Sequence, residues 1–266
     1  MGKDWTETEN WATIKCGDCI ALLDEIPDES VDLILTDPPY NISQDGRIFY
    51  RNNLKNKSMR REANIVLDFG EWDKMERGAF LNFSKEWYLK ATQKLKRGGC
   101  VISFFSKEDI SFFHWLQKES NIRTRTIYVW HKTNPTPQFR KVNYLSACEF
   151  AYIGSKGNGS WTFNFGYQTE MHNFYETPNA SIYGVTEHPT EKPVSLFKHF
   201  IEVHSNKGDV VLDPFMGSGT TGVACKATER KFIGFEKDEK YFEMAKKRIN
   251  KNEIVEDPNY EMTKLF

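Results

Sequence analysis

Short apolar runs rich in β-branched residues alternate with longer stretches whose apolar positions recur at helical spacing. The runs Ala12–Lys15, Val31–Thr36, Cys100–Phe105, Thr126–Trp130, Phe150–Ile153, Val210–Leu212 and Phe232–Phe235 read as strands. Helices are expected over Phe80–Leu95, Lys107–Glu119, Pro193–Val203, Gly219–Ala227 and Glu239–Lys251. In the first helix, Leu81, Ser84, Trp87, Tyr88 and Leu95 suit one buried face. Lys96-Arg97-Gly98-Gly99 then reads as a helix stop, cations followed by glycine. The alternation predicts a mainly parallel sheet covered on both faces.

Two stretches interrupt it. Residues 41–70 are polar and carry Arg47, Arg51, Lys55, Lys57, Arg60 and Arg61 against Asp45, Glu62 and Asp68. A loop of this length is either a solvated excursion or a functional flap, and spaced cations suit contact with a phosphate backbone. Residues 157–190 hold no Lys or Arg but carry Trp161, Phe163, Phe165, Tyr167, Phe174, Tyr175 and Tyr183 with several Asn and Gln. Trp161–Tyr167 alternates aromatic and polar residues as a half-buried strand does. The stretch reads as an insertion. It either reads base edges through its amides or forms a small hairpin that completes the core or a dimer contact.

With 39% hydrophobic and 14% aromatic residues, the 266-residue chain is not disordered overall and fits one large α/β domain. A net charge of −1 excludes a polybasic nucleic-acid coat but leaves room for a local basic patch such as Lys132, Arg140 and Lys141. No apolar run approaches the roughly 20 residues of a membrane span, so a cytoplasmic protein with no membrane partner is expected. Five cysteines without framework spacing suit a reducing compartment. Cys16 and Cys19 spell CxxC, yet a lone pair cannot complete a tetrahedral zinc site, and no metal is expected.

Two loops carry chemistry. The strand Val31–Thr36 runs into Asp37-Pro38-Pro39-Tyr40, where ligands of parallel sheets bind. The prolines hold Asp37 and Pro38 extended, fixing a carboxylate and a carbonyl as neighbouring acceptors. Two converging acceptors suit an exocyclic amino group, and Tyr40 offers a flat face to an extruded base. The second loop, Asp213-Pro-Phe215-Met-Gly217-Ser218-Gly219-Thr220-Thr221-Gly222, follows a strand and opens a helix. Nineteen residues past Gly217, Glu236 stands where a ribose-hydroxyl acceptor is expected. Gly217, Gly219 and Gly222 spell GxGxxG, so a dinucleotide site is the rival. Asp213 argues against it, because an acid beside the loop repels pyrophosphate and favours a cationic ligand.

With these residues in hand, the chain resembles the β class of S-adenosylmethionine-dependent amino DNA methyltransferases. In that class a [DNS]PP[YFW] motif precedes the target-recognition region, and a DPFxGSGTT loop follows it. Here Asp37–Tyr40, the insertion and Asp213–Thr221 stand in that order, with His188-Pro-Thr-Glu-Lys192-Pro193 before the cofactor loop. Trp130-His-Lys-Thr-Asn-Pro135 resembles the family segment that helps hold the flipped base, and Gly17-Asp18 the cofactor-adenine contact. The resemblance implies a doubly wound, Rossmann-like sheet of seven strands, mostly parallel, with permuted motif order. Residues 1–156 are then a catalytic half, 157–187 a target-recognition insertion and 188–266 a cofactor-binding half. It implies S-adenosylmethionine held by Asp213, Phe215, Gly217–Thr221, Glu236 and Asp18, with Lys192 as partner of its carboxylate. It implies catalysis by Asp37, Pro38, Pro39 and Tyr40 on double-stranded DNA, in a homodimer, with a cognate restriction endonuclease as a further possible partner. An aspartate at the first motif position is typical of N6-adenine members, a serine of N4-cytosine members. The resemblance therefore implies N6-adenine methylation of DNA, with N4-cytosine methylation of DNA and N6-adenine methylation of RNA as the alternatives. None of the five cysteines follows a proline, which argues against C5-cytosine chemistry.

Overall fold

The computed structural model describes residues 6–8, 11–41, 47–49, 64–66, 75–135, 141–179 and 191–251. Its strands are β1 (Thr6–Thr8), β2 (Ala12–Cys16), β3 (Val31–Thr36), β4 (Arg47–Phe49), β5 (Asn64–Val66), β6 (Leu95–Phe105), β7 (Ile122–Lys132), β8 (Cys148–Lys156), β9 (Phe174–Thr177), β10 (Val210–Asp213) and β11 (Lys231–Glu236). Its α-helices are α1 (Cys19–Leu23), α2 (Arg77–Lys94), α3 (Ile110–Glu119), α4 (Val194–His204), α5 (Thr220–Ala227) and α6 (Glu239–Asn250). No helix among the described residues is long and apolar enough to cross a membrane.

Nine strands form one sheet in the order β1-β2-β11-β10-β3-β6-β8-β7-β9, while β4 and β5 pair separately. Within it β2, β11, β10, β3 and β6 are parallel, and β8 runs against both β6 and β7. All seven strands expected from the sequence are present. The seven-stranded count is exceeded because β1 adds to β2 at one edge and β9 adds to β7 at the other. Both are short and lack the apolar runs that mark buried strands.

Alternation along the central strands supplies a core on each face. Leu33, Leu35, Ile102 and Phe104 pack with residues of α4, α5 and α6, while Ile34, Val101 and Phe105 pack with residues of α1, α2 and α3. The C-terminal strands β10 and β11 lie between β2 and β3, with Val211 beside Leu33 and Leu212 beside Ile34. The two loops expected to carry chemistry therefore leave neighbouring strands at the same edge.

Two expectations about local structure are corrected. Lys96–Gly99 does not cap α2, because the helix ends at Lys94 and these residues already belong to β6. Gly98 instead takes a left-handed φ of 84°, where the backbone of Ser160 crosses it. Nor is Trp161–Tyr167 a strand. Its backbone bonds to the end of α4 rather than to a ladder: Asn164 N–H donates to Val203 O at 2.8 Å, and its amide donates to the Glu202 and Ser205 carbonyls. Trp161 stacks on His204 at 5.8 Å, with the Arg125 guanidinium 4.3 Å over its ring. Burial pushes the His204 imidazole down to about 3.

Candidate active site

Asp37 stands one residue beyond β3, half-buried beside the buried Pro38. One of its oxygens accepts the Tyr40 hydroxyl and the other the Lys192 ammonium. Lys192 immediately precedes Pro193, the N-cap of α4, so the helix start carries the lysine to the strand end. Its ammonium also lies 3.2 Å from Glu149 Oε2, and Glu149 Oε1 accepts from Lys132 at 3.1 Å. Phe104 and Tyr40 present their rings to the Lys192 ammonium at 5.3 and 5.8 Å. Burial, aided by the Glu149 charge, raises the Asp37 carboxyl above its usual range against the pull of Lys192. Burial also works against the charges of Glu149 and Lys192, but their ion pairs prevail, lowering the one and raising the other. The Tyr40 phenol is pushed well up by burial and by Asp37.

The cofactor-side loop is built on a second carboxylate. Asp213 is buried, and its oxygens accept from Thr36 Oγ1 at 2.7 Å, Phe215 N at 3.1 Å and the Thr221 hydroxyl. Burial raises it to about 7. Asp213 thus ties the catalytic strand to the start of α5. Gly219 takes φ 82° at the N-cap, and a β-carbon there stands 3.0 Å from Ala245 of α6. A β-carbon on Gly222 stands 2.6 Å from Ile249. The last two glycines of the GxGxxG spelling therefore serve the close approach of α5 to α6. Arg248 of α6 braces the loop from outside, donating to Ser218 Oγ and Thr220 Oγ1 at 3.1 Å and pairing with Glu191.

At the end of β11, Glu236 accepts from Gly217 N at 3.0 Å and Asp238 N at 2.8 Å, and burial raises it. Its own carbonyl accepts from Gly17 N at 2.9 Å, which sets Asp18 next to it. Asp18 is exposed, caps α1 through Ile20 N at 3.1 Å and meets Lys237 at 3.3 Å. Phe215 lies half-buried with its ring edge-on to Phe83 and Trp87. The edge between the loops is thus lined by acids, with Lys192 brought to it on Asp37 and Lys237 paired with Asp18 at its rim. That donor set fits a ligand with a positive sulfur, an ammonium, hydroxyls and one carboxylate. It does not fit a pyrophosphate.

The predicted DNA-contacting residues divide. Lys141 is exposed just before β8. Lys132 is a correction: its side chain is 13% exposed and its ammonium is committed to Glu149, so it offers no surface cation. Arg51, Lys55, Lys57, Arg60, Arg61 and Arg140 lie outside the described residues, as does the side chain of Arg47. The base of the basic excursion is described: Asn41 Oδ1 accepts Met75 N at 2.8 Å and its amide donates to Met75 O at 2.9 Å. Sequence reading missed Glu149, which sits second on β8 in Cys148-Glu149-Phe150 with no motif to mark it.

Comparison with known proteins agrees with this geometry. The profile described as DNA methylase, of N6 and N4 amino-methyltransferases, matches residues 31–247. The chain is 33% identical over 262 residues to the Type II methyltransferase M.HinfI of Haemophilus influenzae, covering 93% of this chain and 70% of that protein. It is 30% identical over 245 residues to the Type II methyltransferase M2.MboI of Moraxella bovis, covering 88% and 86%. Its fold matches the crystal structure of the M1.HpyAVI–SAM complex with a TM-score of 0.69 and 30% identity, over 90% of this chain and all of that one. The cytosine-N4-specific PvuII DNA methyltransferase shares the fold at a TM-score of 0.67 and 20% identity, over 92% and 88%. With its motifs, fold and acid-lined edge in agreement, the chain belongs to the N6/N4 DNA methylase family, whose members transfer methyl groups from S-adenosylmethionine to amino groups of DNA.

Proposed function

We propose that this chain methylates the N6 amino group of adenine within a short DNA sequence, acting on a base flipped out of the duplex. The observation that carries the reading is Asp37: an aspartate leads the tetrapeptide, at the end of the strand that pairs with the cofactor-side strand. The N6 lone pair is delocalised into the ring and is a poor nucleophile. The Asp37 carboxylate and the Pro38 carbonyl accept its two hydrogens, drawing the nitrogen toward tetrahedral geometry and freeing the lone pair. An incoming amino group takes the place on Asp37 that the Tyr40 hydroxyl now fills, and the released tyrosine ring stacks on the base. The cofactor supplies an electrophilic methyl group.

Glu236 and Asp18 take the ribose and adenine ends of that cofactor, and the loop Asp213–Thr221 its methionine end, with Asp213 acting from beneath. Lys192 is shared between Asp37 and the cofactor carboxylate. Glu236→Lys is expected to weaken S-adenosylmethionine binding by about tenfold or more, since it also breaks the bond from Gly217 N. Calorimetry checks this, and unchanged affinity would make the acid structural only. DNA phosphates are contacted by Lys141 and by the basic excursion, and the insertion reads bases. The Type II naming of both relatives supports a cognate restriction endonuclease as partner. The resemblance to the β class supports action as a homodimer.

The test is single-molecule sequencing of DNA from a methylation-free host expressing this chain. N6-methyladenine in one short motif is expected. N4-methylcytosine would keep the fold and mechanism but overturn the choice of base, and unmodified DNA would turn attention to RNA.

A further inference from the structure

Four charged side chains form an unbroken line of alternating sign across the floor of the site: Lys132, Glu149, Lys192 and Asp37. They come from β7, β8, the residue before the cap of α4, and the loop after β3. Their side chains expose only 13%, 23%, 7% and 20% of their surface, and the rings of Trp130, Phe104 and Tyr40 flank the two ammonium groups. In such surroundings a charge acts strongly on its neighbours, and each lysine needs a partner. The line is neutral as a whole. Removing its second member leaves Lys132 without its carboxylate and Lys192 with Asp37 as its one remaining carboxylate in the line.

We infer that Glu149 is a positioning residue for methyl transfer: it holds Lys192 between two carboxylates, so that the ammonium steadies Asp37 without closing over the face that receives the amino group. The inference rests on the reading of Asp37 as the amino-group acceptor. Lys132 holds the far oxygen of Glu149 and so fixes how strongly Glu149 draws on Lys192. Charge reaches Asp37 through Lys192, and the other titratable groups facing it are Glu149, Tyr40 and, behind Thr36, Asp213.

The experiment measures single-turnover methyl transfer against pH for the full chain with duplex DNA. Wild-type rates fall at low pH as Asp37 takes up a proton. Glu149→Gln keeps the shape and removes the charge. It is expected to lower the plateau rate by about tenfold through misplacement of Lys192, and to move the acid limb to lower pH. Its DNA affinity stays within about twofold, and rates are read at saturating S-adenosylmethionine because Lys192 also serves the cofactor, so that the loss belongs to the transfer step. Lys132→Met is expected to move the acid limb the other way, because an unneutralised Glu149 adds negative charge beside Asp37. The opposite signs are what a merely structural role does not produce, and Lys132→Met decides by its own sign if Glu149→Gln fails to fold in a thermal melt. An acid limb unmoved in the folded variants, or shifted the same way in both, overturns the inference. An Asp37→Ala enzyme with a near wild-type rate would instead overturn the acceptor reading beneath it.

Discussion

Asp37→Ala is expected to slow methyl transfer by roughly 10³-fold while leaving S-adenosylmethionine affinity nearly unchanged. The substitution removes an acceptor aimed at the nitrogen on which positive charge develops, and the site has no second carboxylate in the same place. Glu149 faces Lys192 from the other side and cannot substitute. The fold should survive, because Lys192 keeps Glu149 at 3.2 Å and so is not left as an unpaired buried charge. Asp213, Glu236 and Asp18 are untouched, which is why binding and rate are expected to separate. Labelled-cofactor turnover and calorimetry on one preparation check both halves. A rate within tenfold of wild type would remove Asp37 from the chemistry. A parallel collapse of cofactor affinity would mean that it mainly holds the site together.

A comparably large effect on stability is expected at Gly98. Its φ of 84° already disfavours a side chain, and an added β-carbon would lie 2.2 Å from the Ser160 carbonyl oxygen. Gly159 answers from the other side, its own β-carbon position falling 2.4 Å from Arg97 C and Gly98 N. Two backbones cross with no side chain between them, so no rotamer change relieves the contact. Left-handed strain of roughly 1–2 kcal/mol and overpacking of similar or larger size put Gly98→Val at about 3 kcal/mol of destabilisation. Gly208→Ala is the control, since Gly208 has the same φ of 84° but nothing within 4 Å of its β-carbon position. That change should cost only the backbone strain, about 1 kcal/mol. Urea denaturation of both variants compares them, and equal midpoints would show that the crossing yields easily.

Much of this was legible in the sequence because buried parallel strands announce themselves. Val31–Thr36, followed by Asp37, and Val210–Asp213 are short β-branched apolar runs that each lead to an acid, and their length and alternation with helical stretches mark them as buried parallel strands. The tetrapeptide and the glycine loop were legible for the same reason: each follows such a run directly. What sequence could not reveal is what depends on strand order. Lys132 read as a surface cation because nothing near it in the chain is acidic until Glu149, which β7–β8 pairing brings alongside. Asp213 read as a ligand group, yet its bond to Thr36 joins residues 177 positions apart. Trp161–Tyr167 had the period of a strand, but both Asn164 groups found the end of α4 first, and an alternating pattern does not say which partner is nearest.

The placement of β10 and β11 between β2 and β3 has a consequence for how the enzyme comes into being. The strand β3, which leads into Asp37, leaves the ribosome well before β10, its neighbour on one side. Pairing so distant in sequence is slow to close, and the centre of the sheet is where it must happen. A chain stopped short of β10 has its catalytic tetrapeptide hanging from an open sheet edge, with neither Asp213 nor the glycine loop to set against it. Methylating competence therefore waits for β10 and β11, and a chain stopped before them carries the tetrapeptide without its cofactor-side loop.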